Sequence, residues 1–124
     1  MKEYDFAGEV IGLAMKVHRE LGSGFLESVY RNALLHELRK AGHEPAAEPP
    51  IHVYYDGIQV GNFIADIVVN SLILELKAVA KLALIHEVQL VNYLHACRTD
   101  SGLLLNFGEE SLTFKRKYRK RSPK

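Results

Sequence analysis

Two neighbouring apolar runs carry charges that a buried strand does not tolerate unaided: Ile64-Ala65-Asp66-Ile67-Val68-Val69 and Leu72-Ile73-Leu74-Glu75-Leu76-Lys77-Ala78-Val79. Burying an aspartate, a glutamate and a lysine this way costs several kcal/mol per ion unless each is paired or bound. Asn70-Ser71 lies between the runs and suits a two-residue hairpin turn. Such a turn pairs Val69 with Leu72, Val68 with Ile73, Ile67 with Leu74 and Asp66 with Glu75. Residues opposite each other in an antiparallel ladder share a face, and alternation returns Lys77 to that face. Two carboxylates and one amine then converge, provided that no bulge at the turn puts Asp66 and Glu75 out of line.

Composition sets the frame. The chain has 124 residues, 48% hydrophobic and 25% charged, the make-up of one ordinary globular domain, with residues 1–118 as the domain and 119–124 as a basic tail. No stretch approaches the roughly 20 apolar residues that a membrane helix needs. Met1-Lys2-Glu3-Tyr4-Asp5 is too acidic for a signal peptide and lacks an apolar core. Cys97 is the single cysteine, so no intrachain disulfide or thiolate zinc site forms, which fits a reducing cytoplasm. Within a helical pattern Cys97 reads as packing rather than as a nucleophile.

The net charge of +1 hides an asymmetry. Residues 115–124 hold seven of the 16 basic residues and no acid: Lys115, Arg116, Lys117, Arg119, Lys120, Arg121 and Lys124. The rest of the chain therefore has nine basic against 15 acidic residues, a balance of −6. A basic segment like this contacts phosphates without sequence preference; a solvated tail that aids solubility is the equal alternative. An acidic body argues against a broad nucleic-acid surface.

Phe6, Val10, Leu13, Val17 and Leu21 recur at helical spacing and predict a helix over 4–21, broken by Gly22-Ser23-Gly24. A second helix spans 26–41, with Val29, Ala33 and Leu34 inward and Gly42 as its stop. Residues 44–50, with three prolines, form an extended connector. Strands follow at 51–55 and 58–69, joined at Asp56-Gly57, and the charged strand 72–79 completes a three-stranded meander. A third helix over 82–98, with Ile85, Val88, Val91 and Leu94 in period, precedes strands at 102–107 and 112–118. The order is α-α-β-β-β-α-β-β. The helix between the third and fourth strands permits a parallel crossover, so the fold class is α/β (α+β), a mixed sheet flanked by helices.

Paired carboxylates on adjacent strands are hard oxygen ligands suited to Mg²⁺ or Mn²⁺. Such an ion polarises a phosphoryl oxygen and acidifies an attacking water, and Lys77 would orient that water or offset charge in the transition state. From residue types alone, a structural ion pair accounts for the same residues equally well.

These residues resemble a family. Asp66 followed by Glu75-Leu76-Lys77, on consecutive strands after a helix, is similar to the PD-(D/E)xK nuclease superfamily, whose restriction-endonuclease-like core has the same order of helix, meander, helix and strand. Gly24-Phe25-Leu26-Glu27-Ser28-Val29-Tyr30 matches the motif that names the small GxxExxY proteins of that superfamily. Val17 to Gly22, Leu74 to Val79, Leu104 to Gly108, and Glu87-Val88-Gln89-Leu90 with Tyr93 extend the resemblance over nearly the whole chain.

The resemblance implies a Mg²⁺- or Mn²⁺-dependent nuclease acting on DNA or RNA. It gives Asp66 and Glu75 the metal-ligand roles, with the backbone carbonyl of Leu76 completing the set, and Lys77 the catalytic one. Glu27 corresponds to the acidic residue on the helix before the sheet, and Gln89 to the helix residue that faces the site. Ala65 stands where the superfamily's name has proline.

Other residues have plainer accounts. On spacing alone, Glu27 pairs with Arg31 at i+4, and His86, Gln89 and Tyr93 form a polar seam. The six histidines show no His-x-x-x-His pair, so nothing points to zinc. Residues 22–24 match neither phosphate-loop nor dinucleotide spacing and read as a helix break. Tyr54-Tyr55 reads as a half-buried strand face rather than a base-stacking platform. Two further functions compete with the nuclease: a non-catalytic module that keeps the fold to bind nucleic acid or a protein partner, and a homodimer whose basic tails supply the nucleic-acid contact.

Overall fold

Apolar residues at i, i+3 and i+4 wind the first segment into α1 (Phe6–Leu21), and the Asp5 side chain accepts the Gly8 N–H at its start. In this computed structural model, which describes residues 4–119, α2 (Glu27–Lys40) follows and packs against α1. Five strands come next: β1 (Ala46–Ala47), β2 (Pro50–Tyr55), β3 (Ile58–Ile64), β4 (Ile67–Val69) and β5 (Leu72–Lys77). Then come α3 (Leu84–Cys97), β6 (Ser101–Asn106) and β7 (Thr113–Tyr118).

The main sheet has the order β1-β4-β5-β6-β7, with β5 and β6 parallel and the other pairs antiparallel. It is the mixed, helix-flanked sheet expected from the pattern, with α3 as the crossover between the parallel strands. Asn70 and Ser71 both take positive φ, 48° and 61°, as a type I′ hairpin turn requires. The ladder that follows is the expected one: Val69 with Leu72, Val68 with Ile73, Ile67 with Leu74.

The meander is corrected. The segment 58–69 is two strands, and β3 pairs with β2 in a separate two-stranded sheet. The break falls at Ala65-Asp66, whose backbone finds partners outside β5: the Ala65 N–H donates to the Pro49 carbonyl, and the Asp66 carbonyl accepts the Glu48 N–H, both at 3.0 Å. The connector also contributes the short β1, which caps the sheet edge beside β4.

Strand alternation sorts the core into two layers. Leu72, Leu74, Leu76, Leu103 and Leu105 face α1 and α2, where Val10, Ala14, Val17, Tyr30, Leu34 and Leu38 meet them. On the other face Ile73 and Leu104 meet Ala65, Ile51 of β2, and Leu90 and Leu94 of α3. The inward face of α3 is therefore corrected in part: Leu94 is buried as expected, but Ile85 and Val88 point to solvent and Leu90 is buried instead. Cys97, expected to pack, is exposed at the end of α3. Lys120 and Arg121 of the basic segment, with Lys124, lie outside the described residues. Among the described residues no helix is long and apolar enough to cross a membrane.

Candidate functional site

Asp66 leaves the ladder one residue before β4 begins, yet stays bonded to β5. Its backbone N–H donates to Glu75 Oε1 at 3.3 Å, and its Oδ2 accepts the Leu76 N–H at 2.8 Å. The two carboxylates therefore flank one peptide unit, close to the expected register although β4 itself starts later. The Lys77 carbonyl accepts the Phe107 N–H at 2.8 Å on the β6 side. By strand alternation the Leu76 carbonyl, one residue earlier, turns to the opposite edge, where Asp66 lies. Lys77 shares the sheet face of Glu75 and is half-buried, and among the described residues its ammonium makes no salt bridge.

Glu75 is only 8% exposed. Burial, reinforced by the negative charge of Asp66, pushes its carboxyl up from 4.5 to about 8; the hydrogen bond from the Asp66 amide and the charge of Lys77 oppose the rise. Arg31 balances the other side of the pair: its Nη1 lies 3.6 Å from Asp66 Oδ1 and its Nη2 lies 2.7 Å from Glu48 Oε1. The pairing of Arg31 with Glu27 expected from helix spacing is thereby corrected. Arg31 reaches across to the strand break, where two acids compete for it.

Glu27 is exposed in the first turn of α2, one turn before Arg31 on the same helical side. The glycines and the tyrosine around it have a clear structural task. Gly22 and Gly24 take positive φ of 72° and 113°, a conformation open to glycine at little cost. The fully buried Tyr30 then clamps the loop: its hydroxyl donates to the Gly22 carbonyl at 2.6 Å and accepts the Phe25 N–H at 3.1 Å. Its ring stacks on Phe107 at 4.6 Å, just beyond the end of β6. The motif thus ties the start of α2 to the strand ends that carry the charges.

A second polar knot fixes the end of β5. The fully buried Asn106 side chain accepts the Val79 and Gly108 N–H groups and donates to the Val79 carbonyl and to Glu109. Its only sequence signal was an amide inside an apolar strand, and sequence reasoning passed over it.

Gln89 does not hydrogen-bond Asp66 or Glu75. It is exposed and lines a groove of about 680 Å³ between α3 and the β2–β3 hairpin, together with Tyr54, Phe63, Asn92, Tyr93 and Arg98. Tyr93 links this groove to the carboxylates. It packs in the cluster holding Ala65 and Ile73, and burial with the charges of Glu75 and Asp66 raises its phenol. His86 serves its own helix, accepting the Ala83 N–H at 3.1 Å. Tyr54 and Tyr55 are 62% and 74% exposed, which corrects the half-buried strand face. A smaller cleft of about 260 Å³, lined by Asp5, Ser71 and Arg116, opens at the other end of the sheet, away from these charges.

The basic segment runs as the expected strand through Tyr118, and most of its described cations are paired. Arg116 pairs with Asp5, Lys117 with Glu87 and Arg119 with Asp100, at 2.9–3.0 Å. Lys115 is exposed. These pairs occupy cations that composition alone left available for phosphate.

Chemically, the cluster offers a largely buried, all-oxygen donor set beside the Lys77 ammonium, which forms no salt bridge among the described residues. Among the described residues no three Asp, Glu, His or Cys side chains converge, so a hard cation here would draw a further ligand from the Leu76 carbonyl.

Comparison with known proteins bears on family and fold. A family model described as PD-(D/E)XK nuclease superfamily matches residues 4–120. No curated protein matches the chain. Three solved chains do. One is the crystal structure of SSO0001, with a TM-score of 0.59 at 16% identity over 94% of this chain; the match spans 62% of that longer chain, and the likeness is one of fold.

Proposed function

The chain belongs to the PD-(D/E)XK nuclease superfamily, and from that premise we propose that it hydrolyses phosphodiester bonds of nucleic acid at the Asp66–Glu75–Lys77 cluster, with Mg²⁺ or Mn²⁺ as cofactor. The observation that carries this is the hydrogen-bonded unit of Asp66, Glu75 and the Leu76 amide, with Lys77 on the same face. The donors fit a small hard cation: two carboxylates and the Leu76 carbonyl, all oxygen, at a buried sheet edge. When bound, the ion supplies Lewis acidity to the phosphoryl oxygen and a more acidic attacking water.

The chain's own groups do the rest. The Leu76 N–H holds Asp66 in one orientation, so the site needs little rearrangement. Glu75 gives up the proton that its burial retains when a cation replaces it. The Lys77 ammonium orients the water and offsets charge building on the phosphoryl oxygens. Glu27 assists from the first turn of α2, Gln89 supports the substrate from α3, and Lys115 offers a phosphate contact on β7.

Purified protein is expected to cleave DNA or RNA only with Mg²⁺ or Mn²⁺ present. Lys77→Ala should abolish cleavage at unchanged Tm. A folded wild type that binds neither ion and cleaves neither nucleic acid would overturn the proposal. One observation favours a second function, a non-catalytic module that binds nucleic acid or a protein partner. The Arg31 guanidinium, 3.6 Å from Asp66, already answers part of that carboxylate's charge. Nucleic-acid binding that is unchanged in Asp66→Ala and in EDTA would select it.

A further inference from the structure

The groove beside the carboxylates has two unlike walls. On the hairpin side, Tyr54 and Phe63 stand 62% and 43% exposed, and the Phe63 ring lies 5.2 Å from that of Tyr93. On the helix side, Gln89 and Asn92 present amides a turn apart, and Arg98 brings a cation where α3 ends in left-handed backbone. The space of about 680 Å³ between them falls within the range of sites for small organic groups. A flat aromatic wall opposite a wall of amides suits a nucleobase, which asks for stacking on its faces and hydrogen bonds along its edge. A duplex hides both.

Charge agrees with this assignment. Duplexes are held largely through phosphate contacts, yet His95 and Arg98 are the basic side chains lining the groove. Three cations on and after β7 lie outside the groove and are paired with Asp5, Glu87 and Asp100. Tyr93 connects groove and carboxylates, since it lines the first and packs on the cluster that holds Ala65 and Ile73, chain neighbours of the second.

Resting on the nuclease function above, we infer that the substrate is a single-stranded nucleic acid, one base of which stacks against Tyr54 and Phe63 while Gln89 and Asn92 bond its edge. The exposed hairpin aromatics are then a stacking surface, and Gln89 reads a base rather than acting on the phosphate.

The test measures binding and cleavage separately. Fluorescence anisotropy in EDTA, with labelled oligothymidylate, oligouridylate and a duplex, reports binding without turnover. At least one single strand should bind about tenfold or more tightly than the duplex. The double variant Tyr54→Ala/Phe63→Ala should lose about tenfold or more of that affinity, the worth of a lost base stack. Phe63 also contacts Tyr93, so some fall in Tm is expected and is measured alongside; Gln89→Ala/Asn92→Ala, both exposed, provides an independent check and should lower the same affinity at unchanged Tm. Equal binding of duplex and single strand, or single-strand affinity unchanged in both double variants, overturns the inference. Groove-dependent binding without metal-dependent cleavage upholds it and sinks the nuclease function instead. Duplex cleavage at full rate in Tyr54→Ala/Phe63→Ala does the reverse.

Discussion

In the metal-free protein, stability should fall as pH rises from about 5 to about 8, and Glu75→Gln should flatten that fall. The sign follows from where the proton sits. An unfolded chain releases it near 4.5, whereas the folded protein holds it to about 8, chiefly because burial disfavours the charge. Between those values the native state binds one more proton, so unfolding free energy drops by up to about 1.4 kcal/mol per pH unit. Over the whole window the bound is roughly 5 kcal/mol, comparable with the entire stability of a small domain. Water entry and side-chain relaxation around a sheet-edge site reduce the expected loss to about 2–4 kcal/mol. Asp5, held low by Arg116, and Glu37, held low by Lys16, lose their contributions only in more acid solution, outside this window. Urea unfolding in EDTA at a series of pH values measures the effect. Glutamine keeps the shape and can still accept the Asp66 N–H while removing the charge. Added Mn²⁺ should restore stability at pH 8, because the ion selects the ionised carboxylate, and its affinity should fall about tenfold per pH unit below that point. Parallel pH profiles for wild type and Glu75→Gln would refute the reasoning.

Tyr30→Phe should cost about 1–3 kcal/mol, since the Gly22 carbonyl and Phe25 N–H lose their partner; an unchanged urea midpoint would show that the clamp contributes nothing. Gly108→Ala should destabilise by about 2 kcal/mol or more, because its methyl group would run into the Val79 backbone, whereas Gly12→Ala, with nothing nearby, should be neutral or stabilising. Thermal melts of the two variants should therefore move in different directions or by very different amounts. Arg31→Gln should raise Mn²⁺ affinity several-fold by freeing Asp66 from a competing cation. Calorimetric titration showing weaker binding would instead make Arg31 a support of the site.

Local pattern carried much of this fold. The I′ turn at Asn70-Ser71 fixed the β4–β5 register, and register alone put Asp66 beside Glu75. What escaped was set by contacts distant in sequence. The division of 58–69 depends on the Pro49 carbonyl accepting the Ala65 N–H and the Glu48 N–H donating to the Asp66 carbonyl, and no periodicity within the segment records that. The inward face of α3 was legible only at Leu94, because its apolar residues run nearly all round the helix, and packing against β2 and β6 selects Leu90 over Ile85 and Val88. Arg31 had one acid at helical spacing and two across the fold; the distant pair won. The basic segment looked free because Asp5, Glu87 and Asp100 lie 19 to 111 residues away along the chain.

The pins at Glu48–Asp66 and Pro49–Ala65 make the β2–β3 hairpin a closed excursion from the main sheet. Its base is locked by the same bonds that hold Asp66 in place, while its tip at Asp56-Gly57 makes no hydrogen bond outside the hairpin among the described residues. The chemistry and the choice of substrate are thereby separately mutable: the tip can be lengthened, shortened or exchanged without displacing a carboxylate. In the proposed function, a different tip grafted between Val53 and Gly61, with the buried Ile51 kept, would change what is held while leaving intact the place where it is held.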